Sequence, residues 1–252
     1  MERRLRLTVE YDGTDFAGFQ LQGKGERTVQ GELETAIGRL NGAQTRVYGA
    51  GRTDAGVHAL GQVVHCTVTW RLPLEKTETA INALLPRDIR IRAAQGAEPR
   101  FHARFDATSR TYRYTVLNRP QGSALLRRYT LHEPRPLDVA AMRRAAGALT
   151  GTHDFAAFGR PEGPGKSTVR AVTRLDVRPW RDCVLVTVRG NAFLRQMVRA
   201  FVGTLLEVGR GRLDAERVRA IRESADRTAC PAIAPARGLC LVRVDYDGIR
   251  LT

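Results

Sequence analysis

The sequence predicts an α+β fold: two similar halves around a largely antiparallel mixed sheet, flanked by helices. Three observations predict it. Strand-like segments recur along the 252 residues, joined in some places by hairpin-length turns and in others by helical stretches. The strand, helix, glycine-rich loop, strand order of the first half is echoed after Arg110. The late segment Val-Asp-Tyr-Asp-Gly (244–248) resembles the early segment Val-Glu-Tyr-Asp-Gly (9–13). The halves are placed at residues 1–105 and 106–252.

Each element has its own local reason. Residues 5–13 alternate Leu5, Leu7, Val9 and Tyr11 with polar residues and end in Asp-Gly, the pattern of a half-buried strand. Residues 28–42 read as a helix, with Thr28 as N-cap, an apolar stripe of Val29, Leu33, Ile37 and Leu40, and Gly42 as a stop. Residues 45–70 read as strand, glycine-rich loop, strand. Residues 77–89 predict a short helix stopped by Pro86. An aromatic and β-branched strand is expected over 107–120, a helix over 136–151 with Gly151 as its stop, and a Gly/Pro-rich loop over 159–170. Residues 171–180 and 183–190 form a hairpin. Residues 191–211 make the strongest helix pattern, capped by Asn191, with Phe193, Leu194, Met197, Val198, Phe201 and Leu205 on its apolar face. A helix over 214–224 and a closing strand over 238–248 complete the chain.

Composition narrows the function class. Apolar residues are 42% and charged residues 27%, ordinary for a globular protein. No run of 18 apolar residues exists, so no membrane-spanning helix is expected, and the N-terminus lacks the apolar core of a secretory signal. A cytoplasmic location is the expectation. Cys66, Cys183, Cys230 and Cys240 are too far apart for a Cys-x-x-Cys pair, which disfavours a zinc site or disulfide framework, and Cys66 and Cys183 fall in apolar strands as buried thiols do. The formal net charge of +15 points to a polyanion, and nucleic acid is the natural partner. All but three of the basic residues are arginine.

The chemistry is concentrated in Gly-Ala-Gly-Arg-Thr-Asp-Ala-Gly-Val-His (49–58). Gly49, Gly51 and Gly56 permit a tight path and close approach of a ligand. The stretch has neither the Gly-Lys-Ser/Thr ending of a phosphate-binding loop nor a dinucleotide fingerprint. As a bare turn, Thr53 and Asp54 would bond their own backbone.

The stretch Gly-Arg-Thr-Asp-Ala-Gly-Val-His-Ala-Leu-Gly-Gln-Val-Val-His (51–65) resembles the signature of the tRNA pseudouridine synthase I (TruA) family. Segments 9–20, 28–37, 81–89, 101–114, 191–209 and 234–246 agree with that family in order, so the resemblance covers nearly the whole chain. Cys240 is a departure, standing where many members carry tyrosine. The resemblance implies a pseudouridine synthase fold. It implies conversion of uridine to pseudouridine at positions 38, 39 and 40 in the anticodon stem-loop of tRNA, by a homodimer that needs no metal, nucleotide or redox cofactor. In that reaction the N1–C1′ bond breaks, the uracil turns, and a bond forms through C5.

The same resemblance implies roles. Asp54 matches the catalytic aspartate, which adds to C6 of the uracil or assists at C1′ of the ribose. Arg199 matches the arginine set against it, holding the charge that burial would disfavour; Arg195, four positions back, is expected on the same helical face. Tyr112 matches the tyrosine that contacts the target base, stacking on it and exchanging a proton at C5; Tyr114 shares its strand face. Arg52 matches the arginine that fills the space left by the flipped base. His58 and His102 have no metal-ligand partner at helical spacing and read as structural or RNA-contacting, and Asp12 as a turn residue. Two other classes compete. A catalytically silent RNA-binding protein would be free to lose Asp54, Tyr112 and Arg199, which are all present. A carboxylate-dependent hydrolase would want a second carboxylate beside Asp54, which the loop does not supply.

Overall fold

The computed structural model describes residues 2–23, 25–161, 163 and 165–247. In chain order the elements are β1 (Arg3–Tyr11), α1 (Val29–Asn41), β2 (Tyr48–Gly49), β3 (His58–Val68), α2 (Leu74–Leu84), β4 (Ile89–Ala97), β5 (Ala107–Asn118), β6 (Leu131–Glu133), α3 (Val139–Ala146), β7 (Gly151–Asp154), β8 (Val169–Trp180), β9 (Cys183–Gly190), α4 (Met197–Gly209), α5 (Ala215–Ser224) and β10 (Leu239–Tyr246). The class is α+β with mostly antiparallel strand pairing, as the alternation of hairpins and helices predicts. The chain forms two compact units. The first runs through Thr108 and is rejoined by the chain from Cys240; the second is Ser109–Leu239. Among the described residues no helix is long and apolar enough to cross a membrane.

In the first unit the strand order is β4-β1-β3-β10. β1 pairs antiparallel with both β3 and β4. On the other edge of β3, β10 lies parallel beside His58 and Ala59, and β2 lies antiparallel beside Val64 and His65. One face of β1 buries Leu5, Leu7, Val9 and Tyr11, and the core also takes in Leu33 and Ile37 of α1 and Ile81 of α2. Burying each of these aliphatic side chains is worth about 1.5–3 kcal/mol. α1 begins where expected: Thr28 accepts a hydrogen bond from the Gly31 N–H, and Gly42 closes the helix at φ 65°.

The opposite face is covered by the segment after β4. Arg4 donates from Nε and Nη2 to the Pro99 carbonyl, the Ala103 N–H donates to His65 Nδ1 at 3.0 Å, and the Tyr246 hydroxyl donates to the Ala103 carbonyl. Beneath it the buried Arg6 guanidinium lies 4.8 Å from the Tyr246 ring centroid and 5.8 Å from that of Phe101. The π faces compensate Arg6 Nε and Nη2, which have no hydrogen-bond acceptor among the described residues. Burial lowers the Arg6 pKa from its ordinary value.

In the second unit the order is β5-β9-β8-β7, with β6 parallel to β5. β8 and β9 form the expected hairpin, closed at Trp180 and Cys183 by a turn in which Arg181 takes φ 52°. α4 is buried along nearly its whole length, and Phe201 meets Phe155 and Phe158 edge-on. Glu133 is a buried carboxylate held by Arg210, whose Nε donates to Oε2 at 2.8 Å. Burial alone would raise the Glu133 pKa; the hydrogen bonds from Arg210 and Arg135 outweigh it and leave the group lowered. Cys66 and Cys183 are buried free thiols, and burial pushes Cys66 up to about 12.

Several boundaries differ from expectation. The helix expected over 191–211 begins only at Met197, so Asn191 is not its cap. The backbone of Arg195 forms a bridge with Arg160, and Gln196 sits at φ 64°, a left-handed conformation through which a right-handed helix does not propagate. Asn191 Oδ1 instead accepts from the Ala171 and Ala192 N–H groups. The helix expected over 77–89 spans Leu74–Leu84, because Leu85, next to Pro86, is extended at ψ 145°. The helix expected over 136–151 is α3 followed by a 3-10 turn at Gly147–Leu149, with Gly151 at φ 115°. In the 159–170 loop, Glu162 and Pro164 lie outside the described residues, as does Gly248 at the end of the closing strand's motif.

The His65 contact makes stability pH-dependent. Burial, reinforced by His102 and Arg4, lowers the His65 pKa to about 4. The unfolded chain therefore takes up this proton before the folded one does. The contribution is full above about pH 6.5 and is lost as pH falls from there through 4, on the order of 2–3 kcal/mol. Urea unfolding at pH 7 and pH 4.5 is expected to show a pH dependence smaller by about that amount in His65→Gln; an equal dependence in both proteins contradicts it.

Candidate active site

The loop between β2 and β3 is built by fastening its backbone at Ala50, Gly51, Thr53, Asp54 and Val57. The Ala50 N–H donates to the Val63 carbonyl at 2.8 Å. The carboxamide of Gln62, fully buried in β3, accepts from the Gly51 N–H and donates to the Gly51 carbonyl at 2.8 Å. Thr53 Oγ1 is 2.8 Å from the Tyr11 hydroxyl, and its carbonyl accepts from the Phe19 N–H at 3.0 Å. The Val57 N–H donates to the Asp54 carbonyl, and Gly56 makes the turn at φ 76°. A register shift in β1 between Val9 and Tyr11 sets the end of that strand beneath the loop.

Two glycines allow the loop to close. A Cβ on Gly13 would lie 2.0 Å from the Val57 carbonyl oxygen, and Gly18, at φ 116°, would bring one to 3.0 Å from the Thr53 carbonyl oxygen. His58 Nδ1 accepts from the Gly13 N–H at 3.0 Å, with Asp12 Oδ1 3.1 Å away, so His58 is occupied in holding this crossing. Asp12 Oδ1 also accepts from the N–H and hydroxyl of Thr14, the turn role expected of it. Against this fixed backbone, Arg52 is exposed and Asp54 half-buried. A carboxylate and a guanidinium two residues apart are thus presented from a loop fastened on both sides of them, at Gly51, Thr53 and Val57.

The other two candidates belong to the second unit. Tyr112 lies on β5 opposite Val188, 8% exposed, with the Phe193 ring edge-on at 5.4 Å. Tyr114, on the same strand face, is fully buried and donates its hydroxyl to the Pro235 carbonyl; burial raises its pKa. Arg199 is half-buried in the first turn of α4, where its Nε donates to the Ala234 carbonyl at 2.7 Å and its own carbonyl accepts from the Ala234 N–H. The expectation that Arg195 shares a helical face with Arg199 fails, because Arg195 precedes the helix, exposed and in extended pairing with Arg160. His102 caps its own turn: Nδ1 accepts from the N–H groups of Arg104 and Phe105.

Comparison with known proteins shows the family. The family model described as tRNA pseudouridine synthase matches residues 7–106 and 145–247. The chain belongs to the tRNA pseudouridine synthase family. Proteins named tRNA pseudouridine synthase A are similar along nearly its whole length. That of Brevibacillus brevis is 45% identical over 97% of this chain and 100% of its own. That of Methylobacterium sp. strain 4-46 is 48% identical over 96% and 97%, and that of Thermus thermophilus 47% identical over 99% of both.

In this tRNA pseudouridine synthase family member the loop is legible in the sequence, and its supports are not. Tyr11 and Thr53 read as a strand residue and a turn residue. Gln62 carries a signal of its own: an amide directly before Val63 and Val64 in a strand, where burial obliges it to find partners. Gln62→Leu keeps the bulk and orphans both backbone groups of Gly51. It is expected to lower unfolding stability by about 1–3 kcal/mol, read from the urea midpoint; an unchanged midpoint contradicts the role given to Gln62.

Proposed function

We propose that the chain isomerises uridine to pseudouridine at positions 38, 39 and 40 in the anticodon stem-loop of tRNA, in the cytoplasm and as a homodimer. The observation that carries the reading is the fastened loop that presents Asp54 and Arg52, in a chain of this family. Asp54 is the ionised carboxylate that acts on the uridine, adding to C6 of the uracil or assisting at C1′ of the ribose. Arg199 stabilises that charge. Tyr112 stacks on the flipped uracil and exchanges the proton when C5 loses its hydrogen; it is the more exposed of the two tyrosines on its strand face, and the Tyr114 hydroxyl is already committed to Pro235. Arg52, exposed on the loop, takes the place the base leaves. Substrate and product are isomers, so the rearrangement balances without an oxidant, metal or cofactor.

The net charge of +15 supports the substrate class, since unstacking a base takes a few kcal/mol that phosphate contacts can offset. Exposed apolar side chains at Leu125, Leu126 and Tyr129 support the homodimer. Light scattering is expected to give the mass of two chains, and the mass of one contradicts that part.

The activity is tested by tritium release from C5-labelled uridine in unmodified tRNA. Wild type is expected to release it, and Asp54→Asn, which keeps shape and removes charge, to lose at least about 10³-fold in rate while still binding tRNA. Release by both proteins contradicts the role of Asp54. Release by neither, with tRNA bound, favours a silent RNA-binding protein.

A further inference from the structure

We propose that Phe105, backed by His102, His65 and Tyr48, is a stacking platform for an unpaired nucleobase of the RNA substrate, distinct from the uracil that reacts. The inference rests on the tRNA reading above and adds a second base contact to it.

Phe105 is 76% exposed, yet its backbone is rigidly held. The turn that carries it is closed by hydrogen bonds from the His102 N–H to Asp106 Oδ2 and from the Asp106 N–H to the His102 carbonyl. The Phe105 N–H donates to His102 Nδ1, and the neighbouring Ala103 is tied to His65 through its N–H and to Tyr246 through its carbonyl. A large apolar ring on a mobile loop would be unremarkable. On a turn fastened to the sheet it is held ready for a flat partner, with little ordering left to do on binding.

The rings behind it form a continuous series. The Phe105 and His102 centroids are 4.3 Å apart with planes inclined by 30°. His102 meets His65 edge-on at 4.6 Å, and His65 stacks on Tyr48 at 5.0 Å and 14°. Tyr48 is itself 46% exposed, so the series surfaces at both ends. His65 and His102 are both shifted away from the charged form, chiefly by burial, so these rings do not repel the guanidinium groups around them. Those groups supply the charge complementarity to RNA. Arg104 lies 5.8 Å from the Phe105 centroid, Arg100 is exposed on the same segment, and Arg4 underlies it. Aromatic rings interleaved with arginine are the chemistry that holds unpaired bases and their phosphates.

The position makes this a second contact. His65 lies seven residues along β3 from His58, which adjoins the Asp54 loop, and that length of strand spans roughly 20 Å. One nucleotide does not reach both.

The test is the dissociation constant for unmodified tRNA of wild type, Phe105→Ala, Phe105→Leu and Phe105→Trp, together with tritium release. Loss of a stacked base is expected to weaken binding about 5- to 100-fold in Phe105→Ala. Leucine keeps apolar bulk without a π face and does not rescue it. Tryptophan does, and its added fluorescence is quenched as tRNA saturates. The ring is exposed, so the unfolding midpoints stay unchanged. Binding by Phe105→Ala within about twofold of wild type, or rescue by leucine equal to that by tryptophan, overturns the platform alone if wild type releases tritium. A wild type that neither releases tritium nor binds tRNA overturns the functional reading and the platform with it.

Discussion

The clamp on Thr53 is the constraint on which the first unit depends. Its hydroxyl meets the buried Tyr11 phenol and its carbonyl takes the Phe19 N–H, so one residue ties the loop to the end of β1 and to the segment leading into α1. The residues on either side carry the charge. If Thr53 moved, Arg52 and Asp54 would move with it. Other fastenings serve the same end: Gln62 fixes Gly51, His58 fixes Gly13, and the glycines at 13 and 18 let backbones approach more closely than any side chain allows. The helices and the core of Leu5, Leu7, Leu33 and Ile37 hold β1 and β3 in the register that makes the clamp possible.

A second economy of the fold is the use of side chains as backbone partners. His65, His102 and Tyr246 each satisfy main-chain groups of the segment that crosses the sheet, and the buried Arg6 cation is met by rings rather than by carboxylates. In the second unit the segment around Ala234 is fastened in the same manner, by Arg199 and by Tyr114. Polar side chains in both units are thus committed to holding main-chain groups in place.

Much of this was legible in the sequence, where local rules decide. Thr28 and Gly42 delimit α1 because capping is local. The β8–β9 hairpin and the half-buried β1 follow from period-two patterning, and the glycine-rich loop with Arg52 and Asp54 stands out by composition. What was not legible depends on distant partners. The start of α4 is set by a bridge between Arg195 and Arg160, and nothing near Asn191 announces it. β4 follows a proline stop and fades into Ala-Ala-Gln-Gly-Ala, too weak a pattern to read as a strand without β1 beside it. β2 is two residues long and exists only through β3. The supports of the site, Tyr11, Thr53 and Gln62, are ordinary residues until the fold brings them together.

Native-state hydrogen exchange tests the fastened loop most directly. The amides of Gly13, Phe19 and Ala50 are the donors that bind it to its supports. If the loop is as rigid as the core beneath it, these three exchange as slowly as amides of β1 and β3, through the same opening of the unit. Exchange at the rate of open loops, while β1 and β3 stay protected, would mean that the loop moves independently of the sheet and that Asp54 is not held in place by it.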